Sequence, residues 1–275
     1  MGWTIKDVLG EESRKKEVKK PPMSSFTSKA KIDKKEEIPV TRLFKDENLP
    51  TGIDLLDKNL DGGFPKGSLV CVHADPASSP ESFLYQFSTE RRTYYINTSR
   101  PVSAIRRDFS SLNLDDGFVE FIDVYSAYYA EIQKDQKRSK DSELDYEIME
   151  FAINEIRSLQ GEEEINIIID NLNFFMDLKV NNSLKEIFIN TLYSTAKETS
   201  GLIFMYVIRD SLDEKTLNKI FDVSDVIMDI FIEISGSRYV KRFGIPKIRG
   251  RTPLNDLFKF EIGEGVHLDT SRDIA

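Results

Sequence analysis

Metal and redox chemistry have little to work with in this sequence. It holds one cysteine, Cys71, and two histidines, His73 and His267. A lone cysteine builds no disulfide framework, and these three residues fit no familiar zinc spacing. No apolar run approaches the roughly 18–20 residues of a membrane span. Residues 1–20 are too polar and charged for a signal peptide. Positive charge is also short: 38 Lys and Arg face 47 Asp and Glu, a formal charge of −9. Such a chain has no global attraction to nucleic acid. Together these shortages predict a soluble cytoplasmic protein with no metal site, no membrane contact and no nucleic acid as its main partner.

What is present divides at residue 47. Residues 1–47 are rich in charge, serine and proline and poor in large apolar side chains, so they bury too little surface to offset their ordering entropy. They predict a disordered arm of about +3, against about −12 for the remainder. One stretch of the arm differs. In "GWTIKDVL", Ile5, Val8 and Leu9 recur at helical spacing beside Trp3, which predicts a short helical anchor over residues 2–9 for a protein partner or for the core of the same chain.

Residues 48–275 read as one globular domain. "SLVCVH", "TYYINT", "FVEFIDV", "INIIID" and "LIFMYVI" are strand-like runs, separated by helical patterns near residues 80–90, 101–112, 143–159 and 182–199. Residues 133–142 form a charged loop between two of them. Strands that alternate with helices predict a mostly parallel sheet covered on both faces. "SDVIMDIFIEIS", "SRYVKRFGI", "LFKFEI" and "GVHLD" then follow with glycine and proline breaks, and predict antiparallel strands that extend the sheet.

The stretch "LPTGIDLLDKNLDGGFPKGSLVCVHADP" resembles the opening of the KaiC/RadA group of RecA-like ATPases. Thr51, Gly52, Leu56, Asp57, Gly62, Gly63, Pro65, Gly67 and Ser68 match its signature in order and spacing. "IIIDNL" resembles the group's Walker B strand, with Asp170 at the metal-site aspartate. "PKIRGRTP" resembles its late lysine-x-arginine-glycine signature, and the resemblance implies that Lys247 and Arg249 reach across a subunit interface. The likeness spans roughly residues 48–270 and implies a RecA-like α/β fold, an ATP–magnesium site and self-association or pairing with a relative. Its loop is most similar to degraded loops of archaeal KaiC-like proteins.

The loop itself departs from that pattern. A phosphate loop uses glycines so that backbone N–H groups can close on phosphate, a lysine for charge and a hydroxyl for magnesium. Laid on that motif, Ala74 and Ser79 stand at the two glycines, Pro80 at the lysine and Glu81 at the hydroxyl. Asp75, Pro76 and Ala77 fill the turn, and Asp75 and Glu81 add carboxylates where polyphosphate would lie. Ser78, Ser79 and Ser82 retain hydroxyl donors, which leaves room for weak ATP–magnesium binding. The glutamates that end the group's second core strand are replaced by Ser99 and Arg100, neither a general base. The sequence therefore predicts no catalytic residue and no obligatory cofactor. It favours a non-catalytic regulatory or assembly protein over two alternatives: an ATPase with an atypical loop, and a DNA-repair recombinase-paralogue accessory.

Overall fold

The computed structural model describes residues 47–134 and 142–269. The expected disordered arm and its anchor at Trp3, Ile5, Val8 and Leu9 lie outside the described residues, as does most of the charged loop at 133–142. The chain enters through β1 (Asn48–Leu49), α1 (Asp54–Asn59) and β2 (Phe64–Pro65). The matched double glycine is explained here. Gly63 has φ +117°, and a Cβ on it would lie 2.0 Å from the Leu49 carbonyl oxygen, so only glycine lets β1 and β2 pair at Leu49 and Phe64.

The core then alternates as expected: β3 (Ser68–Ala74), α2 (Glu81–Phe87), β4 (Thr93–Asn97), α3 (Val102–Ser111), β5 (Val119–Asp123), α4 (Val124–Lys134), α5 (Ser142–Ser158), β6 (Asn166–Ile169), α6 (Leu172–Asp177), α7 (Asn182–Thr199), β7 (Leu202–Ile208) and α8 (Glu214–Val223). The tail is β8 (Val226–Ser235), β9 (Arg238–Ile248), β10 (Leu254–Gly263) and β11 (Gly265–Asp269). Nine strands make one sheet in the order β11-β10-β9-β8-β3-β7-β6-β4-β5. Those from β8 to β5 in that order run parallel, and β9, β10 and β11 add antiparallel pairs. Helix α4 carries helical structure through Lys134, so the loop expected from residue 133 starts later than the sequence suggested.

Both faces of the sheet are covered because every residue of β3 is buried. Val70, Val72 and Ala74 meet α2 and α3 through Phe83, Leu84, Phe87, Ile105 and Phe109. Leu69 and Cys71 share the opposite core with Ile148, Phe175, Phe188 and Ile220 of α5 to α8. Among the described residues, no helix is long and apolar enough to cross a membrane.

One buried carboxylate joins the parallel and antiparallel parts. Asp225, 5 % exposed, accepts from the Leu69 N–H at 3.0 Å, from Lys197 Nζ at 2.6 Å and from Arg249 Nε at 3.0 Å. Its own N–H donates to the Leu69 carbonyl and its carbonyl accepts from the Arg249 N–H. Removing the carboxylate strands the buried Leu69 N–H and takes one partner each from Lys197 and Arg249, which keep others. Asp225→Ala should lower the free energy of unfolding by about 2–3 kcal/mol, read by urea denaturation. Arg249→Ala, at a half-exposed side chain, should cost about 1 kcal/mol. Equal losses would refute the assignment of Asp225 as the hub.

Candidate functional site

The segment that leaves β3 folds as a closed turn. Asp75 accepts from the Ala77 N–H at 2.9 Å through its side chain, and its carbonyl accepts from the Ser78 N–H at 2.9 Å and the Ser78 hydroxyl at 2.6 Å. Pro76–Ser78 form a single 3-10 turn, which the Ser79 N–H closes on the Pro76 carbonyl at 3.3 Å. Ser79 sits in the left-handed region at φ 61°, a conformation that glycine adopts freely and serine does not. The Ser82 and Phe83 N–H groups donate to the Ser79 and Pro80 carbonyls, and the Asp75 N–H donates to Ile230 of β8. Pro76 and Pro80 have no N–H. The donors that a phosphate would need from Asp75, Ala77, Ser78, Ser79, Ser82 and Phe83 are therefore already used inside the protein. Ser78 and Ser82 are buried.

A cation does reach this turn, from a residue the sequence reading did not single out. Lys241 of β9 donates from Nζ to Ser79 Oγ at 3.1 Å. Burial pushes its ammonium below the ordinary lysine range, and Glu81 pulls the other way. Tyr206 of β7 feels the same carboxylates: burial, then the charges of Glu81 and Asp75, push its phenol up. The surroundings of the turn are thus a partly desolvated mixture of Asp75, Glu81, Lys241 and Tyr206. Lys241 comes from a hairpin 162 residues away in the chain, and no local motif signals such a crossing.

Lys247 and Arg249 are used elsewhere. Lys247 Nζ donates to the Phe221 carbonyl at 2.6 Å and the Asp222 carbonyl at 3.2 Å. Arg249 Nη2 donates to the Asp222 carbonyl at 2.6 Å. Both close the C-terminal end of α8, where cations complement the helix dipole and unpaired carbonyls. Lys247 pairs with Ile227, which is in register with Cys71, so it lies about 10 Å back along the sheet from the turn.

The second core strand ends at Thr98, Ser99 and Arg100. Arg100 turns back to Asp108 of α3 at 2.6 Å and to the Tyr85 hydroxyl. Asp170 ends β6 beside it and is 9 % exposed. One of its oxygens accepts from the Thr98 N–H at 2.9 Å and the Thr98 hydroxyl at 2.7 Å, which ties the ends of β4 and β6 together. Among the described residues, no group of three or more His, Cys, Asp or Glu could hold a metal ion. His73 Nδ1 lies 2.8 Å from Asp229, which also pairs with Arg209 at 2.5 Å, in a packed cluster under Phe221.

Burial pushes the Asp170 carboxyl up to about 6 from its ordinary 3.8, against the opposing effect of the Thr98 hydrogen bonds. The folded state then keeps a proton between about pH 4 and pH 6 that the unfolded chain gives up. The charged carboxylate therefore weighs against folding, increasingly as pH rises through about 6. Asp170→Asn preserves an acceptor for Thr98 and removes the charge. It should stabilise the protein at pH 7.5 by on the order of 2 kcal/mol, with the gap closing toward pH 4, in thermal melts across that range. If Asp170 instead ligates a metal, magnesium would raise the wild-type midpoint and not that of the variant.

The same arrangement of strands and helices occurs in a KaiC-like protein from the hyperthermophilic archaeon Pyrococcus horikoshii. The two superpose with a TM-score of 0.58 at 14% identity, over 81% of this chain and 98% of that one. At that identity the likeness shows the fold alone: a KaiC-like, RecA-type α/β fold. No curated protein matches the chain. Residues 48–275 match the model described as a family of unknown function, DUF7125, and the chain belongs to that family.

Proposed function

We propose that this chain is a non-catalytic regulatory or assembly protein of KaiC/RadA type, which acts by protein–protein interaction and keeps a degraded nucleotide loop. The observation that carries this reading is the closed turn after β3. Its N–H groups bond to Asp75, Pro76, Ser79, Pro80 and Ile230, while Asp75 and Glu81 stand where polyphosphate charge would collect. Opening the turn to phosphate would break several hydrogen bonds and set like charges together. Ser99 and Arg100 supply no base at the end of β4, and Arg100 is already paired with Asp108. Partner recognition would fall to the Trp3, Ile5, Val8 and Leu9 segment, with self-association or pairing with a KaiC-like relative as the assembly.

Lys241 supports a second reading: an ATP-binding protein with an atypical loop, whose missing lysine is supplied by β9. The charge of the folded domain disfavours the third, a DNA-repair accessory.

Calorimetric titration of the full chain with ATP and magnesium, together with phosphate release over hours, separates the first two. We expect neither saturable binding nor turnover. Turnover that disappears on Asp170→Ala would overturn the non-catalytic reading. Binding that disappears on Lys241→Ala would establish the second. The partner segment is read independently, because Trp3 is the only tryptophan. Its emission should be red-shifted and readily quenched in the free protein, then shift blue when a partner binds. A blue-shifted, protected Trp3 in the isolated monomer would assign the segment to its own core instead.

A further inference from the structure

A parallel sheet opens a crevice wherever neighbouring strands send their following helices to opposite faces. This sheet does so between β3 and β7 and on either side of β4. Between β3 and β7 the chain leaves toward α2 on one face and α8 on the other, and the closed turn fills that point. Between β4 and β6 it leaves toward α3 on one face and α6 on the other. At this second point lies an open pocket of about 510 Å³, lined by residues that follow β4, β6 and β7 and by α4. That volume is within the range of small-molecule sites.

The pocket's lining is aromatic and polar, with Asp145, Asp177 and Lys179 as its charged groups. Tyr128, Tyr129 and Phe174 form one wall, with Tyr128 edge-on to Phe174 at 5.1 Å and to Tyr129 at 5.3 Å. The wall is held in place: the Tyr128 hydroxyl donates to Asp145 at 3.1 Å, and the other Asp145 oxygen accepts from the Lys179 N–H at 2.7 Å. Burial and Asp145 push the Tyr128 phenol up to about 12, so it stays neutral. Thr98, Ser99, Asn171 and Ser211 contribute hydroxyl and carboxamide groups. Asn173 fixes that side, donating to Ser211 at 2.5 Å and accepting from the Ile208 N–H at 2.9 Å. The lining also holds Lys179, together with Asp177 and Asp145. A flat ring can stack on this wall and hydrogen-bond to the amides and hydroxyls, while a polyphosphate finds one cation beside two carboxylates.

We propose that the crevice between β4 and β6 is a binding site for an uncharged heteroaromatic ligand of the nucleoside class, held by stacking on Tyr129 and by the neutral polar groups of Ser99 and Asn171. This site is separate from the turn after β3 and does not depend on the reading of that turn.

The test titrates the full chain with adenosine, uridine and ribose, followed by saturation-transfer NMR and calorimetry. Saturable binding of at least one nucleoside and none of ribose is expected. Tyr129 is 38% exposed, so Tyr129→Ala should fold; it should weaken nucleoside binding about tenfold or more, while Tyr129→Phe retains it. Ser99→Trp, which fills the mouth from an exposed position, should abolish binding. Lys179→Ala should change it less than about twofold. Lys241→Ala should leave it unchanged, which separates this site from any ATP contact at the turn. Failure of both nucleosides to saturate would overturn the proposal. So would affinity untouched by Tyr129→Ala and Ser99→Trp. Binding seen only with oligothymidylate, and falling steeply with salt, would replace the site with a single-strand nucleic-acid surface.

Discussion

Asp225 is the point on which the two parts of the sheet hang. A parallel core needs its central strand in register with neighbours on both sides, and β3 has β7 on one side and β8 on the other. Asp225 sits just before β8 and engages Leu69 at the start of β3, Lys197 at the end of α7 and Arg249 just past β9. One carboxylate thus sets where β8 begins relative to β3 and where β9 ends relative to β8. Lys247 and Arg249 lie on the Asp225 side of that pairing, while the β8–β9 register shifts between Ile227 and Asp229 before it brings Lys241 to Ser79.

The crevices at β3/β7 and β4/β6 have opposite character for reasons visible in their side chains. After β3, Asp75 turns its carboxylate and carbonyl onto the N–H groups that follow, and two prolines remove donors. The result is a turn that satisfies itself and presents acid outward. After β4 and β6, Asn171 and Asn173 accept from the local backbone N–H groups and the Thr98 hydroxyl donates to Asp170, without filling the space. The aromatic residues of α4 and α6 then border an open volume. The crevice after β3 is closed, and the one between β4 and β6 is open. Function has to be argued from these sites, because the fold alone does not carry it.

Much of the architecture is written locally. The continuous apolar runs at Leu69–Val72, Ile167–Ile169 and Leu202–Val207 can only be strands buried on both faces, and the alternation around them forces helices onto both sides. The make-up of the turn after β3 is equally local: it has no glycine and no lysine, and Pro76 and Pro80 lack an N–H whatever surrounds them. Helices α4, α6 and α8 were not legible in the same way. Six residues of α6 make too short a pattern to tell from a buried run. Helix α8 is defined by the Asp213 side chain accepting from Thr216 at its start and by Lys247 and Arg249 at its end, and the last two come from a strand still to follow.

The sequence by itself determined a mostly parallel α/β sheet with an antiparallel tail and a loop after β3 without glycine or lysine. Those properties depend on residue type and short-range periodicity. Tertiary structure alone decided that Lys241 reaches Ser79, that one Asp170 oxygen is engaged by Thr98, and that a pocket with an aromatic wall opens between β4 and β6. Each of these joins residues from different strands, and their meeting depends on sheet order and register, which no single segment encodes.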